Sequence, residues 1–198
     1  RIDILKRFGL FSTESNGHLS EYLPWYRKRV EEIPKWIDLS NWIHGETGGY
    51  LRVTSEKRNW FVEDFSKFLN ESGIDLSTYK RSTEHGSYII EAIETNRSYR
   101  GHFNVVNNGT ITNLPDDCVI ESTGMVDKDG IKMIKGIELP MACASLCRTS
   151  IDVQRMAVKA AIEGDINLLK LAVLQDPLVS AVCSPDEVWA MVDEMLVA

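Results

Sequence analysis

What is scarce in this 198-residue chain limits it first. Cations are in the minority, 22 Lys and Arg against 29 Asp and Glu, for a net charge of −7. No clustered basic footprint offsets that balance, which argues against a nucleic-acid binder. No apolar run approaches the ~20 residues that cross a bilayer, and no signal-peptide pattern opens the chain. The expected compartment is the cytoplasm. Cysteine is sparse, and Cys118, Cys143, Cys147 and Cys183 follow no disulfide-framework spacing. Cys143 and Cys147 stand four apart and would share a helix face, but no His accompanies them. They read as small buried residues in a helix seam rather than as metal ligands. No Gly-x-Gly-x-x-Gly follows a strand, and P-loop, His-Glu-x-x-His and Gly-x-Ser-x-Gly patterns are missing. The chain therefore carries no self-contained catalytic motif.

What is present suits one domain, or one lobe of a two-domain enzyme, with 43% hydrophobic residues and five Trp to fill a core. The opening residues, Arg1 to Phe8, already have helical spacing, as if cut from something longer, and Gly9 is a natural helix stop. Phe11 to His18 reads as a loop. A second helix is expected from Ser20 through Val30 towards Pro34, with Pro24 in or interrupting its first turn. Residues 34–55 show no clean period and carry Gly45, Gly48 and Gly49, as a long covering loop would. Trp60, Phe61, Phe65, Phe68 and Leu69 then make a helical stripe closed by Gly73. Residues 84–96 form another helix, with Ile89, Ile90 and Ile93 expected on one side.

Strand signals follow. Phe103 to Val106 ends at the turn Asn107-Asn108-Gly109. Cys118 to Met125 and Ile131 to Ile134 alternate around Asp127-Lys128-Asp129-Gly130, a hairpin. The rest is helical: 140–163 to Gly164, then 165–175, a break at Asp176-Pro177, and a capped start at Ser184-Pro185-Asp186-Glu187. The expected fold is a mixed α/β lobe dominated by helices, with short strands and a β-hairpin.

Chemistry-bearing residues concentrate in four polar clusters: Glu14 to His18 with Glu21, His44 to Tyr50, Glu84 to Tyr88, and Asn104 to Gly109. Small residues beside His, Tyr and Asn suit close backbone approach to a polar, polyhydroxylated ligand. Each cluster taken singly also reads as a satisfied turn or cap.

Three stretches carry a resemblance. Phe8-Gly9-Leu10-Phe11-Ser12-Thr13-Glu14-Ser15-Asn16-Gly17-His18, running on through Glu21-Tyr22-Leu23-Pro24-Trp25, resembles a signature of the α-galactosidase-like members of glycoside hydrolase family four. Asn104 to Gly109, followed by Leu114-Pro115-Asp116-Asp117-Cys118, resembles that family's strand–turn–strand. Asp176 to Val182 and Val192 to Leu196 look like its C-terminal helices. The resemblance covers the whole chain, residues 1–198, as the C-terminal lobe of such an enzyme, α-galactosidase, α-galacturonidase or α-glucuronidase in type. It implies a lobe like the C-terminal domain of lactate and malate dehydrogenases, with an NAD-binding Rossmann domain upstream.

The family's reaction departs from the usual pair of carboxylates. NAD takes hydride from the sugar's C3 hydroxyl, and a divalent metal, typically Mn2+, steadies the charge that develops. A base removes the C2 proton, the aglycone leaves C1, water adds, and hydride returns. The resemblance places the glycine-rich cofactor motif and the metal-holding Cys and His before Arg1. It implies Tyr88, after Gly86-Ser87, as the base, with Glu91 as the alternative. A tyrosine hydroxyl ordinarily ionises near pH 10, so this role calls for a neighbouring cation or metal. Glu14, His18, His85, Asn104, Asn107 and Asn108 are implied on the substrate side, though Asn107-Asn108-Gly109 equally satisfies a tight turn on its own. Val106 stands where phospho-glycosidases of the family often carry an Arg, which disfavours a 6-phosphate. Arg52, Arg81, Arg97 and Arg100 are candidates for a uronate carboxylate. A small-molecule glycoside and a second copy of the chain, as homodimer or tetramer, are the implied partners. Two other readings stay open. His85 with Glu84 and Arg81 could serve a 2-hydroxyacid dehydrogenase, or the lobe could be a non-catalytic sugar-binding or oligomerisation module.

Overall fold

A computed structural model describes residues 1–36, 65, 69–70, 77 and 80–197. The chain divides into two compact units, Arg1–Thr54 with Pro140–Ala198, and Ser55–Leu139. The expected loop at 34–55 beyond Trp36, with its His44 to Tyr50 cluster and Arg52, lies outside the described residues. So does the helix at 56–72, apart from three of its residues.

The first unit is helical. Helix α1 (Ile2–Phe8) stops at Gly9, whose φ of 71° is left-handed and lets its N–H reach Leu5 O. Helix α2 spans Asn16–Tyr22, four residues earlier than the periodicity predicts. Ser15 starts it by accepting the His18 N–H at 3.1 Å, so the supposed loop around His18 is a capped first turn. The same helix ends before Pro24, because a residue preceding proline is pushed into extended backbone, and Leu23 has φ −117° and ψ 136°. The expected helix through Val30 is thus replaced by turns and a 3-10 segment, Val30–Lys35. Ile4, Leu23 and Tyr26 form a buried cluster flanked by Phe8, Leu19 and Leu146.

Helices α4 (Met141–Glu163) and α5 (Ile166–Gln175) follow the second unit in sequence and pack on each other. Between them Gly164 turns left-handed and Asp165 caps α5 through Leu168 N. Asp176-Pro177 is more than a break. Asp176 accepts from Leu178 and Val179 N–H groups and opens a further short helix, α6 (Pro177–Val182). Helix α7 (Pro185–Val197) begins at a reciprocal cap in which Ser184 and Glu187 bond each other.

The second unit places helix α3 (His85–Thr95) against a three-stranded antiparallel sheet in the order β1-β2-β3: Tyr99–Val106, Val119–Asp127, Gly130–Met133. Alternation along β1 turns Gly101, Phe103 and Val105 to the helix, where Ala92, Phe103 and Val126 are buried with Ile89 and Tyr99 beside them. Ile90 and Ile93 do not join Ile89 on that side. They are 65% and 41% exposed, because Ala92, three residues on from Ile89, completes the packed stripe. Gly101 and Gly124 face each other across β1 and β2. A Cβ on Gly124 would lie 2.9 Å from the Lys132 carbonyl oxygen and 3.1 Å from the Phe103 ring, so the bare backbone makes room for that ring.

Candidate functional site

Two groups of polar side chains assemble, one in each unit. In the first unit, the capped turn of α2 sets His18 one helical turn after Glu14, with Nδ1 3.3 Å from the carboxylate and both side chains partly exposed. The helix is tied down from below. Buried Arg27 donates from Nε to Ser20 Oγ at 2.8 Å and pairs with Glu21 at 3.3 Å, while Ser20 Oγ donates to Gly17 O. Arg27 stands just past the Pro24-Trp25 pair, so the turn that shortened α2 also supplies its anchor.

In the second unit the residues around the N-terminus of α3 form a layered stack. Tyr88 lies parallel to Tyr99 of β1, with ring centroids 5.3 Å apart and planes at 16°. The Arg81 guanidinium covers Tyr88's ring with its carbon 3.6 Å from the centroid. Arg81 is itself pinned, Nε donating to Ser87 Oγ at 2.9 Å and NH1 to the Glu91 carboxylate. Tyr99 is held in turn by a 2.6 Å hydrogen bond between its hydroxyl and His85 Nδ1. The Tyr88 ring is thus held by both Arg81 and Tyr99, and among the described residues no hydrogen-bond partner meets its hydroxyl. Glu91 is in the opposite condition. Arg81 takes one carboxylate oxygen and Arg97, at 3.5 Å, reaches the other. The hydrogen bond from Arg81 first, then its charge, hold the Glu91 carboxyl below the usual glutamate range.

The Asn cluster is of another kind. Asn107 is fully buried, and its Nδ2 donates to the carbonyls of Ile111, Leu114 and Pro115, while Oδ1 accepts the Ile111 N–H at 2.7 Å. Its side chain is spent on locking the connection between β1 and β2. Asn108 is exposed with φ 42°, and its carbonyl accepts from Lys135. Asn104 lies on the solvent side of β1, opposite Glu121. The structure thus joins Tyr88, His85, Arg81 and Glu91, and separately Glu14 with His18. Tyr99 does not stand out in the sequence. A signal for it exists all the same: a helix-facing position on β1 two residues before Gly101, within reach of an aromatic on α3.

Among the described residues no group of three or more His, Cys, Asp or Glu side chains converges to hold a metal ion, and no helix is long and apolar enough to cross a membrane. Cys143 and Cys147 lie half-buried on α4.

Comparison with known proteins gives this geometry a context. The profile of the family 4 glycosyl hydrolase C-terminal domain matches residues 1–179. An α-galactosidase of Rhizobium meliloti is 68% identical over the whole chain, which covers 40% of that protein. An α-galactosidase of Bacillus subtilis is 33% identical, again over the whole chain and 44% of its own length. The chain thus spans less than half the length of these relatives. Among solved structures, the protein lplD of Bacillus subtilis superposes with a TM-score of 0.77 over 98% of this chain and 41% of that one, at 22% identity. A 6-phospho-α-glucosidase from gut microorganisms, solved with NAD and Mn2+, gives 0.59 over 76% of this chain and 34% of that one, at 20% identity.

Proposed function

The chain belongs to the family 4 glycosyl hydrolases, corresponding to their C-terminal domain, and from that premise we propose that it is the substrate lobe of an NAD- and Mn2+-dependent α-galactosidase in which Tyr88 is the base. The observation that carries this reading is the condition of Tyr88. Its ring is held by Arg81 and Tyr99 while its hydroxyl has no hydrogen-bond partner among the described residues, as suits a group that must meet a proton on a bound sugar. Glu91, one turn further along α3, has both oxygens engaged by arginines and is a poorer base for it.

The described residues of this chain do not assemble a metal site by themselves, so no step here is routed through one. Supplied by the rest of the protein, NAD would be the acceptor for hydride from C3 of the sugar and Mn2+ a Lewis acid for the developing charge, which together would make the C2 hydrogen acidic. Tyr88, in the phenolate form that a base requires, then takes that proton onto its oxygen, the C–H electron pair becomes the C1–C2 double bond, and the aglycone leaves with the C1–O pair and takes up a proton from water. After water adds at C1, the same hydroxyl returns the proton to C2. His85, Asn104 and Asn108, of the same unit as Tyr88, contribute polar contacts to the sugar. Asn107 contributes the shape of the turn.

For the sugar, the 68% and 33% identical relatives are both α-galactosidases, whereas an α-galacturonidase of Lachnoclostridium phytofermentans is 28% identical. The galactoside reading also fits the charge, since Arg81 and Arg97 both spend their guanidinium groups on Glu91 rather than standing ready for a uronate. Exposed Val158 and Ile162 on α4 and Met195 on α7, at 59, 80 and 72%, offer apolar surface to the upstream domain or to a second subunit in a homodimer or tetramer.

Hydrolysis of nitrophenyl α-galactoside and α-galacturonide by the full-length protein, with and without NAD and Mn2+, tests the reading. Galactoside cleavage that requires both additions is the expected result. Cleavage independent of NAD would overturn it, and oxidation of lactate or malate in its place would favour the dehydrogenase alternative.

A further inference from the structure

The first unit holds a further group of side chains that the chemistry above does not use. Asp3, Arg7 and Phe8 of α1, with Trp25, Tyr26 and Trp36, line a hollow of about 380 Å3. That lies within the ~300–1,000 Å3 of small-molecule sites. Most of its wall is aromatic. Phe8 and Trp25 lie 5.9 Å apart at 36°, Trp25 and Tyr26 6.4 Å apart at 79°, and Tyr26 and Trp36 5.1 Å apart at 74°. No pair is stacked flat, and Trp25 and Trp36 remain 46% and 39% exposed.

A polar pair is set into this wall. Asp3 Oδ2 accepts both the Arg7 Nε–H at 2.8 Å and the Tyr26 hydroxyl at 2.9 Å. Asp3 Oδ1 and the two terminal nitrogens of Arg7 are left without a partner among the described residues. The hydrogen bonds from Arg7 and then Tyr26 hold the Asp3 carboxyl below its usual range, so it stays an acceptor. Burial, then the bond to Asp3, pushes the Tyr26 hydroxyl up to about 12, so it stays a donor. Carboxylate and guanidinium offset each other in charge, which suits a neutral ligand better than an anion. A sugar ring has the matching chemistry. Its C–H faces are slightly positive and meet the negative face of an aromatic ring. Its neighbouring hydroxyls donate to a carboxylate oxygen and accept from a guanidinium fork. An apolar side chain of a partner protein would instead leave Asp3 Oδ1 and Arg7 dehydrated and unpaired.

We propose that this hollow binds one neutral pyranose, its ring face against Trp25 and Trp36 and its hydroxyls shared between Asp3 Oδ1 and the free end of Arg7. The inference draws on no assignment of the catalytic base.

The test reads the two indoles directly. Full-length protein, with no NAD or Mn2+ added, is oxidised with N-bromosuccinimide in rising methyl β-galactoside or methyl β-glucoside, and the modified tryptophans are located by mass spectrometry. Oxidation of Trp25 and Trp36 should slow, by about tenfold at ten times the half-saturating concentration. Trp189, partly exposed on α7 and outside the hollow, should be oxidised as before. Glycerol, a polyol with no ring, should protect none of the three. Arg7→Gln should raise the half-saturating concentration by about tenfold or more, the scale of a lost hydrogen bond to a charged group. Should that variant prove unfolded by circular dichroism, Arg7→Lys, which keeps the ion pair with Asp3 but not the fork, carries the test. No protection of Trp25 and Trp36 by either glycoside, equal protection by glycerol or of Trp189, or unchanged half-saturation in a folded Arg7 variant overturns the proposal. Hydrolysis of nitrophenyl α-galactoside by the same preparations, with NAD and Mn2+ restored, separates the two readings. Protection without turnover leaves the hollow a sugar site and refutes the proposed activity, and turnover without protection does the reverse.

Discussion

Asn107→Ala should be among the most damaging single changes to the stability of this chain. The Asn107 carboxamide is fully buried, and it bonds three carbonyls and one N–H of the segment between β1 and β2. Two Nδ2 hydrogens serve the three carbonyls, so the side chain supplies the equivalent of about three hydrogen bonds, each worth ~1 kcal/mol net. Alanine removes all of them and leaves buried backbone groups without partners, for a loss of ~3 kcal/mol or somewhat more. For a protein of this size that lowers Tm by roughly 6–12 °C. Asn107→Asp is the sharper control. It has nearly the same shape and keeps the acceptor for Ile111 N–H, yet turns a carboxylate oxygen towards three carbonyl oxygens. It should cost at least as much as alanine at neutral pH. Urea and thermal unfolding of both variants measure the effect. A loss under about 1 kcal/mol in both would refute the view that this side chain locks the turn.

Further consequences can be checked separately. Gly124→Ala forces a Cβ to within 2.9 Å of a backbone oxygen on β3, and should destabilise by about 1–3 kcal/mol in the same unfolding assays. Asn108→Gly, at φ 42°, relieves a left-handed non-glycine residue and should leave stability unchanged to within ~1 kcal/mol. Glu187 is held below its ordinary value of 4.5 by hydrogen bonds from the Ser184 N–H and hydroxyl. A carboxyl depressed on folding stabilises above that ordinary value and ceases to do so as pH falls through the depressed one. The Tm gap between wild type and Glu187→Gln should therefore be present at pH 7 and close towards pH 3, and a gap constant with pH would contradict the cap.

How much of the fold and site is readable in the sequence depends on where the controlling information lies. Caps and turn residues are local. Gly9, Gly164 and the Ser184–Glu187 pair mark helix ends that the structure keeps, as does the hairpin at Asp127 to Gly130. Local signals also mislead where two compete. The apolar pattern from Ser20 onward suggests a long helix, but Ser15 starts it earlier and Pro24 stops it. Asp176-Pro177 looks like an interruption and is an N-cap with proline at the first helical position. The fold class and the family resemblance are legible because they rest on runs of residues close in sequence. The stack on Tyr88 is not, since it depends on the register that sets Tyr99 of β1 under α3 and on Arg81 folding back over the ring, and neither leaves a periodic trace. From the sequence Arg81 suggests only a partner for a uronate or a dehydrogenase-type substrate. Asn107 draws attention for its type and proves to be a turn lock, a distinction that only the positions of Leu114 and Pro115 could make.

The most direct test of the account is turnover by the Tyr88→Phe form of the full-length protein, assayed on nitrophenyl α-galactoside with NAD and Mn2+ together with NAD binding. The substitution removes one oxygen and leaves the ring its contacts with Arg81 and Tyr99. The account predicts a fall in kcat of at least ~100-fold, the scale of a lost general base, with NAD binding unchanged. Turnover near that of wild type would contradict it and return the search for the base to the rest of the protein.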